Sequence, residues 1–72
     1  MKNLLLFFND RNEYQMAKIF FEKESEFSAC EYNDEFKCIK FEEYSFLLDA
    51  LESGIDGELT YHGFDGFYFS AE

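Results

Sequence analysis

Few residues of this chain have the types and spacing that catalysis requires. His62 is the only histidine, and its place beside Phe67 in an expected hairpin favours a packing role over a general base. Cys30 and Cys38 have neither C-x-x-C spacing nor an adjacent histidine, which favours two free structural thiols over a redox pair. No serine has an evident base with an orienting carboxylate. We therefore expect a protein that is not an enzyme.

Motifs for binding metals or cofactors are absent as well. The sequence has no phosphate-binding, dinucleotide-binding, zinc-protease or EF-hand pattern. The segments Asn33–Glu35 and Asp56–Glu58 could each hold calcium weakly, but they lack the alternating oxygen ligands of a dedicated site. We expect no metal and no cofactor.

Charge is the strongest signal in the sequence, with a formal net charge of −10. All six basic residues lie in the first forty positions, whereas the stretch from Phe41 to Glu72 carries eight acidic residues and no basic one. Direct binding to nucleic acid or to an anionic membrane is therefore not expected, because both depend on lysine and arginine. Either the partner is a basic protein, or the charge serves solubility alone.

The length of 72 residues predicts a single domain over residues 1–72. The apolar run Leu4–Phe8 is shorter than the ~7–15 residues of a secretory signal core and far too short to span a bilayer. With only two cysteines, a reducing cytoplasmic location is expected, which would be the host cytoplasm if the chain is phage-encoded.

The N-terminal part predicts a strand followed by a helix. Leu4–Phe8 has no polar alternation, which is typical of a central strand covered on both faces. Asp10 and Glu13 have the spacing of a helix cap with a reciprocal carboxylate, and the helix should run over Arg11–Lys23.

The apolar residues of this helix cover more than half of its circumference, which is wider than one sheet face requires. We expect Met16, Ile19 and Phe20 to lie in the core. Tyr14 and Phe21 are expected at its border.

Two short alternating runs, Phe27–Tyr32 and Phe36–Phe41, predict a β-hairpin around a turn at Asn33-Asp34. A three-residue loop would place Cys30 opposite Cys38 and Glu31 opposite Lys37. It would also gather four apolar residues on the core face: Phe27, Ala29, Ile39 and Phe41. A two-residue loop would separate the cysteines and bring Lys40 beside Phe27. The first register is preferred because it separates apolar from charged residues better.

The stretch Glu42–Ser53 predicts a second helix, with Glu42 and Glu43 at its positive end and Gly54 after its last turn. Its core stripe consists of Tyr44, Leu47, Leu48, Leu51 and Ile55. An outward acidic strip consists of Glu42, Asp49, Glu52 and Asp56. Phe46 projects from the same side, either by accident of composition or as an anchor for a partner.

The tail Gly57–Glu72 predicts one bent strand or, preferably, two strands joined around Gly63–Gly66, with Tyr61 facing Tyr68. The element order β-α-β-β-α-β(β) favours an α+β fold. We expect a two-layer sandwich with a mainly antiparallel sheet, both helices on one face and a ferredoxin-like split order of strands.

The small size, the charge, the acidic strip and the aromatic tail resemble the small acidic inhibitor proteins of phages, namely anti-CRISPR, anti-restriction and other DNA-mimic proteins. This is a resemblance of class, without a shared motif. It implies a non-catalytic inhibitor that occupies the nucleic-acid site of a basic host protein, where carboxylates pair with cations and aromatic rings anchor. The candidate contact residues are Glu42, Glu43, Phe46, Asp49, Glu52, Asp56, Tyr61, Asp65 and Tyr68.

An interaction module of a different class fits the same sequence. Aromatic residues are enriched at interface cores, and a tail strand at the sheet edge could pair with its copy. In this alternative a structural or regulatory module self-associates, as a homodimer through the tail strand, or docks through its aromatic tail.

Overall fold

The computed structural model describes residues 3–42 and 48–72. The elements are β1 (Asn3–Phe8), α1 (Arg11–Lys23), β2 (Glu31–Asn33), β3 (Cys38–Glu42), α2 (Leu48–Tyr61) and β4 (Phe67–Ala71). The strands form one sheet in the order β2-β3-β1-β4, in which each neighbouring pair is antiparallel. This order confirms the expected α+β fold with the split arrangement of ferredoxin-like domains.

Both helices cover the same face of the sheet. Buried side chains of α1 and α2 form one cluster with residues of β1 and β3. The cluster consists of Leu4, Leu6, Phe8, Tyr14, Ala17, Phe20, Phe21, Ile39, Phe41, Ile55, Leu59 and Phe64. No described helix is long and apolar enough to cross a membrane.

Strand β1 is central, as its apolar run predicts, but it is covered on one face only. Leu4, Leu6 and Phe8 are buried under the helices, whereas Leu5 and Phe7 are only partly buried on the other face. The expectation of two covered faces is wrong because both helices belong to the same layer.

Helix α1 has its predicted bounds, and the backbone N–H of Glu13 donates to the Asp10 side chain at 3.0 Å. The Glu13 carboxylate does not return to the cap. It accepts instead from the backbone N–H groups of Asp65 and Gly66, at 3.3 and 3.4 Å. Only one half of the predicted cap forms: Asp10 caps the start of α1, whereas Glu13 connects α1 to the turn before β4.

The buried face of α1 differs from the predicted one. Tyr14, Ala17, Phe20 and Phe21 are buried. Met16 and Ile19, predicted as core, are 61% and 56% exposed. A helix with two apolar sides can bury only one fully, and the side with three aromatic rings removes more apolar area from water.

The β2–β3 hairpin has neither predicted register. Tyr32 pairs with Ile39 and Glu31 with Lys40, around a four-residue loop over 34–37 in which Lys37 has a φ of 54°. This register turns Tyr32 toward the helix layer and places the Glu31 carboxylate 3.0 Å from the Lys40 ammonium group. Cross-strand packing and charge therefore decide the register. The segment of Phe27 and Ala29 packs against the core without forming a strand.

Helix α2 extends beyond its predicted end at Ser53 and continues to Tyr61. Gly54 therefore lies inside the helix and does not end it. The Phe27 ring occupies the space where a side chain at this position would lie, since an added Cβ would be 2.7 Å from the ring. Glu42, expected in this helix, belongs to β3. The predicted strand from Gly57 is wrong, and the tail contains one strand, β4.

The end of α2 is a Schellman motif. The N–H of Phe64 donates to the carbonyl of Leu59 at 3.0 Å, and that of Gly63 donates to the carbonyl of Thr60 at 3.1 Å. Gly63 has a φ of 90°, a conformation that glycine adopts without steric cost. Phe64 and Leu59 are both buried, as the motif's hydrophobic contact requires.

Candidate interaction surfaces

Three exposed carboxylates follow one side of α2. Asp49, Glu52 and Asp56 are spaced three and four residues apart, so they share one helix face. We call these three residues the α2 acidic row. They are the members of the predicted strip that the structure describes on this helix. Helix α2 contains no basic residue.

The opposite flank of α2 is occupied by the chain between α1 and β2. Gly54 contacts the Phe27 ring, and the hydroxyl of Ser25 donates to the Glu58 carboxylate. The Ser25 oxygen also accepts from the Phe27 N–H at 3.0 Å. Glu58 thus has a structural partner, which the sequence did not indicate, and the α2 acidic row lies on the flank turned away from this contact.

The basic residues pair with other parts of the molecule. Lys18 lies 2.9 Å from Asp34, and Lys40 lies 3.0 Å from Glu31 and 3.8 Å from Glu72. In the part of the chain that the structure describes, no salt bridge involves the α2 acidic row. The charge of α2 is therefore not neutralised within these ranges.

Asp34 anchors the β2–β3 turn to α1. Its carboxylate accepts from the Tyr14 hydroxyl at 2.6 Å and from the Lys18 ammonium at 2.9 Å, and Arg11 donates to its backbone carbonyl at 2.9 Å. The hydrogen bond from Tyr14, followed by that from Lys18, lowers the pKa of Asp34. Burial raises the pKa of Tyr14, and the bond to Asp34 adds to this shift. The segment Asn33–Glu35, considered above for calcium, is thus engaged in a structural contact.

The remaining predicted contact residues do not form one site. Glu42 ends β3 and is exposed, and Asp65 is exposed in the turn before β4. Tyr61 is the last residue of α2 and is 85% exposed. Glu43 and Phe46 lie outside the described residues, so the anchor role of Phe46 stays a prediction.

Tyr68 lies on the side of the sheet opposite to the helices. It pairs with Phe7 across β4 and β1, and the two rings stack with centroids 5.2 Å apart and an interplanar angle of 12°. Tyr68 is 53% exposed. The acidic row and this tyrosine therefore face different directions, and the expected pairing of Tyr61 with Tyr68 is wrong because Tyr61 is helical.

We call the uncovered side of the sheet the open sheet face. By strand alternation it comprises Asn3, Leu5, Phe7, Glu31, Asn33, Cys38, Lys40, Glu42, Tyr68 and Ser70. A depression of about 350 Å³ lies in it, lined by Leu5, Phe7, Glu31, Asn33, Phe36, Cys38, Lys40 and Glu72. The sequence analysis did not predict an exposed sheet face, because the unbroken apolar run of β1 is typical of a strand that is buried on both sides.

Two residues of the open sheet face titrate away from their ordinary values. The hydrogen bond to Glu31 raises the pKa of Lys40, and Glu72 adds to the effect. Burial raises the pKa of the Cys38 thiol, which keeps it protonated and weakly nucleophilic. Cys30 is exposed, and both cysteines are free. The predicted pairing of Cys30 opposite Cys38 is wrong because Asn33 occupies that place.

His62 has aromatic neighbours, although they are not the expected ones. It follows α2 directly, with ring centroids 4.7 Å from Phe20 and 5.2 Å from Tyr61. The predicted partner Phe67 lies in β4 instead. Within residues 3–42 and 48–72 no group of three histidine, cysteine or acidic side chains is arranged to hold a metal ion.

Comparison with protein-family models, with curated proteins and with solved structures finds no match to this chain.

Proposed function

We propose that this protein is a non-catalytic acidic inhibitor that binds a basic, nucleic-acid-handling host protein and blocks its nucleic-acid site, in the manner of anti-CRISPR and other anti-defence proteins. The observation that carries the proposal is the α2 acidic row. It consists of exposed carboxylates on a helix without basic residues, and no salt bridge within the described residues neutralises it.

The spacing of the row is compatible with imitation of a nucleic-acid strand. A rise of about 1.5 Å per residue separates Asp49 from Glu52 by roughly 4.5 Å and Glu52 from Asp56 by roughly 6 Å along the axis. A DNA strand advances about 3.4 Å per phosphate. The row thus offers about three charges over the length of about three nucleotides, with the rigidity of a helix.

Carboxylates on a helix suit an arginine-rich groove. Arginine forms bidentate, charge-assisted hydrogen bonds with carboxylates as it does with phosphates. A high local negative potential also accelerates encounter with a basic partner, and this effect weakens as salt is added. The partner is therefore a basic nucleic-acid-binding protein or complex, and the chain itself binds neither nucleic acid nor membrane.

Tyr61 and Tyr68, which the sequence analysis includes among the contact residues, do not lie beside the α2 acidic row. Tyr61 lies five residues after Asp56, which places it about 140° around the helix from that carboxylate. Tyr68 faces away on the open sheet face. The row therefore supplies the contact by charge, and Phe46 remains the predicted anchor on the same side.

The test is a pull-down from host cytoplasm at low and high salt, followed by an inhibition assay on the captured complex. Asp49, Glu52 and Asp56 are replaced together by lysine. The control replaces Glu22, Glu24 and Glu26, three exposed acids near the end of α1, and changes the net charge equally. We expect at least tenfold weaker binding for the first variant and less than threefold for the control. Equal losses would show that only total charge matters and would contradict the proposal.

One observation favours the second candidate, a structural or regulatory module that self-associates. The chain displays Phe7, Tyr68 and the 61% exposed Phe36 on or beside the open sheet face. Aromatic side chains concentrated in this way are typical of interface cores.

A further inference from the structure

The edge strand β4 has the features of a strand that can accept a further strand. It pairs with β1 on one side, and no described strand lies on its other side. Its residues, Phe67–Ala71, include no charged residue and no proline, and their pairing with β1 is continuous. The opposite edge strand, β2, has only three residues and carries the charged Glu31. Short length and charge protect sheet edges from pairing, and β4 uses neither.

The register identifies the backbone groups of β4 that point outward. The N–H of Glu72 donates to the carbonyl of Asn3 in front of β4's neighbour β1, at 3.0 Å. Successive residues of an antiparallel strand direct their backbone groups alternately toward and away from the paired strand. The N–H and carbonyl groups of Phe67, Phe69 and Ala71 therefore face the free edge. Within residues 3–42 and 48–72 no other strand is placed to pair with them.

The α2 acidic row lies on the flank of α2 that is nearer to this edge. Helix α1 packs over the β2–β3 half of the sheet, where Tyr14 and Lys18 donate to Asp34 of the turn. Helix α2 belongs to the same layer, and its flank on the α1 side is occupied by Ser25 and Phe27. The row is on the other flank, above the β4 side of the sheet. It covers about 10 Å along the helix axis, compared with about 17 Å for five strand residues.

The two sides of the sheet differ in chemistry beside β4. On the helix side lie the carboxylates of the row, which no salt bridge within the described ranges neutralises. On the open sheet face, Tyr68 stacks on Phe7 and is 53% exposed. A strand added beside β4 directs its side chains alternately to these two sides. A strand in which basic residues alternate with apolar ones is therefore complementary to both.

We propose that the free edge of β4 binds an extended segment of the basic partner by strand addition. Lysine or arginine side chains of this segment point toward the α2 acidic row, and its apolar side chains lie beside Tyr68. The inference rests on the proposed function, because it names the part of the partner that the row holds. In strand addition, backbone hydrogen bonds supply affinity and alternate side chains supply specificity. Arginine-rich segments that fold when they bind nucleic acid have the required charge and freedom to extend.

A second copy of this chain is a poorer occupant of the same edge. Antiparallel pairing of two β4 strands would place both helix layers on one face of a joint sheet. The two acidic rows would then approach each other and repel. A basic segment brings charge of the opposite sign to the same place, so the charge distribution favours it over self-association through β4.

An NMR titration of the isotope-labelled chain with an eight-residue peptide that alternates lysine and valine tests the proposal. Two further peptides have the same sequence, with the backbone nitrogen methylated at the four lysines or at the four valines. Only alternate N–H groups of a strand face its neighbour, so one methylated peptide should bind at least tenfold more weakly than the parent and the other within threefold. No binding of the parent at about 1 mM, or equal binding of all three peptides, would overturn the proposal.

Matched variants of the chain locate the contact. Ala71→Pro removes an outward N–H and leaves the bonds to β1, which come from the residues on either side. It should weaken peptide binding at least fivefold, whereas Ala71→Thr keeps the N–H and should change it less than twofold. Equal effects of the two variants would overturn the proposal. Circular dichroism checks that each variant is folded, and the methylated peptides test strand addition on the unaltered chain.

The charge of the row is tested with the same peptide. Replacement of Asp49, Glu52 and Asp56 by lysine should weaken binding at least tenfold, and the control replacement of Glu22, Glu24 and Glu26 less than threefold. Equal losses would overturn the assigned orientation of the basic side chains. A chain that captures a basic protein through the row but does not bind the peptide would retain the proposed function and overturn strand addition. Peptide binding without such capture would contradict the inhibitor function alone.

Discussion

Gly54 is the residue at which tertiary packing constrains the sequence most clearly. The Phe27 ring lies so close to it that an added Cβ would be 2.7 Å from the ring, whereas an added Cβ at Gly57 would have no neighbour within 4 Å. Both glycines lie in α2, where glycine costs roughly 1 kcal/mol relative to alanine. Glycine is therefore required by packing at position 54, whereas at position 57 it only lowers the helix propensity.

Substitution of these glycines by alanine tests this distinction. Gly54→Ala should lower the free energy of unfolding by about 1–3 kcal/mol, because the methyl group must displace a packed ring. Gly57→Ala should raise it by up to about 1 kcal/mol through helix propensity. Urea denaturation followed by circular dichroism measures both. A stabilised Gly54→Ala variant would contradict the close contact with Phe27.

At the scale of elements, side-chain hydrogen bonds between turns or loops and the two helices fix how these parts of the chain meet. Glu13 of α1 accepts from the turn at Asp65 and Gly66, and Asp34 of the β2–β3 turn accepts from two residues of α1. Ser25 joins the loop after α1 to Glu58 of α2. These contacts link turns to helices, and they hold a short hairpin whose strand β2 has only three residues.

The contact of Asp34 predicts a pH dependence of stability. Its folded-state pKa is lowered below the ordinary value of 3.8, so its contribution to stability is present above that value and is lost as the pH falls through the folded pKa. Asp34→Asn should therefore lower Tm at pH 7, and the difference from wild type should shrink below about pH 3.8. Thermal melts from pH 2 to 7 measure this, with the exposed Glu35→Gln as control. A constant difference across the range would contradict an ionic role.

The end of α2 permits another prediction at the same scale. Gly63 adopts a φ of 90°, and any residue with a Cβ is strained there. Gly63→Ala should destabilise the protein by about 1–2 kcal/mol, because the left-handed conformation penalises alanine by that amount. Chemical denaturation measures the loss. The same substitution at Gly57, which lies within α2, serves as the control with the opposite expected sign.

For the whole molecule, charge is distributed more unevenly than the fold requires. Helix α1 carries acidic and basic residues, whereas α2 carries acidic ones alone. A net charge of −10 on 72 residues destabilises the compact state by self-repulsion. Such a distribution is compatible with a function that requires one negatively charged surface.

This repulsion predicts that salt stabilises the protein. Raising sodium chloride from about 10 mM to about 0.5 M should raise Tm by several degrees, because screening reduces repulsion between exposed carboxylates. The variant with three lysines in place of Asp49, Glu52 and Asp56 has a net charge of −4 instead of −10 and should respond less. Differential scanning calorimetry at low protein concentration measures the shift. Equal salt dependence in both proteins would show that this row does not contribute.

Patterns of neighbouring residues were sufficient to predict part of this structure. The bounds of α1 follow from Asp10 and from apolar periodicity, and the central place of β1 follows from its unbroken apolar run. The order of elements and the acidic character of the C-terminal half can also be read directly from the sequence. These properties depend on neighbouring residues or on composition, so they do not require knowledge of distant contacts.

Other features depend on contacts between residues far apart in the chain. Three features depend on a partner elsewhere in the chain: the buried face of α1, the hairpin register and the continuation of α2 through Gly54. Such partners are Ile39 of β3 and Phe27 of the segment between α1 and β2. The same holds for the candidate surfaces. The sequence alone determined that the protein is acidic and rich in aromatic residues. Only the tertiary structure decided that the α2 acidic row and Tyr68 lie on opposite sides, because the packing of both helices on one face leaves the other face of the sheet uncovered.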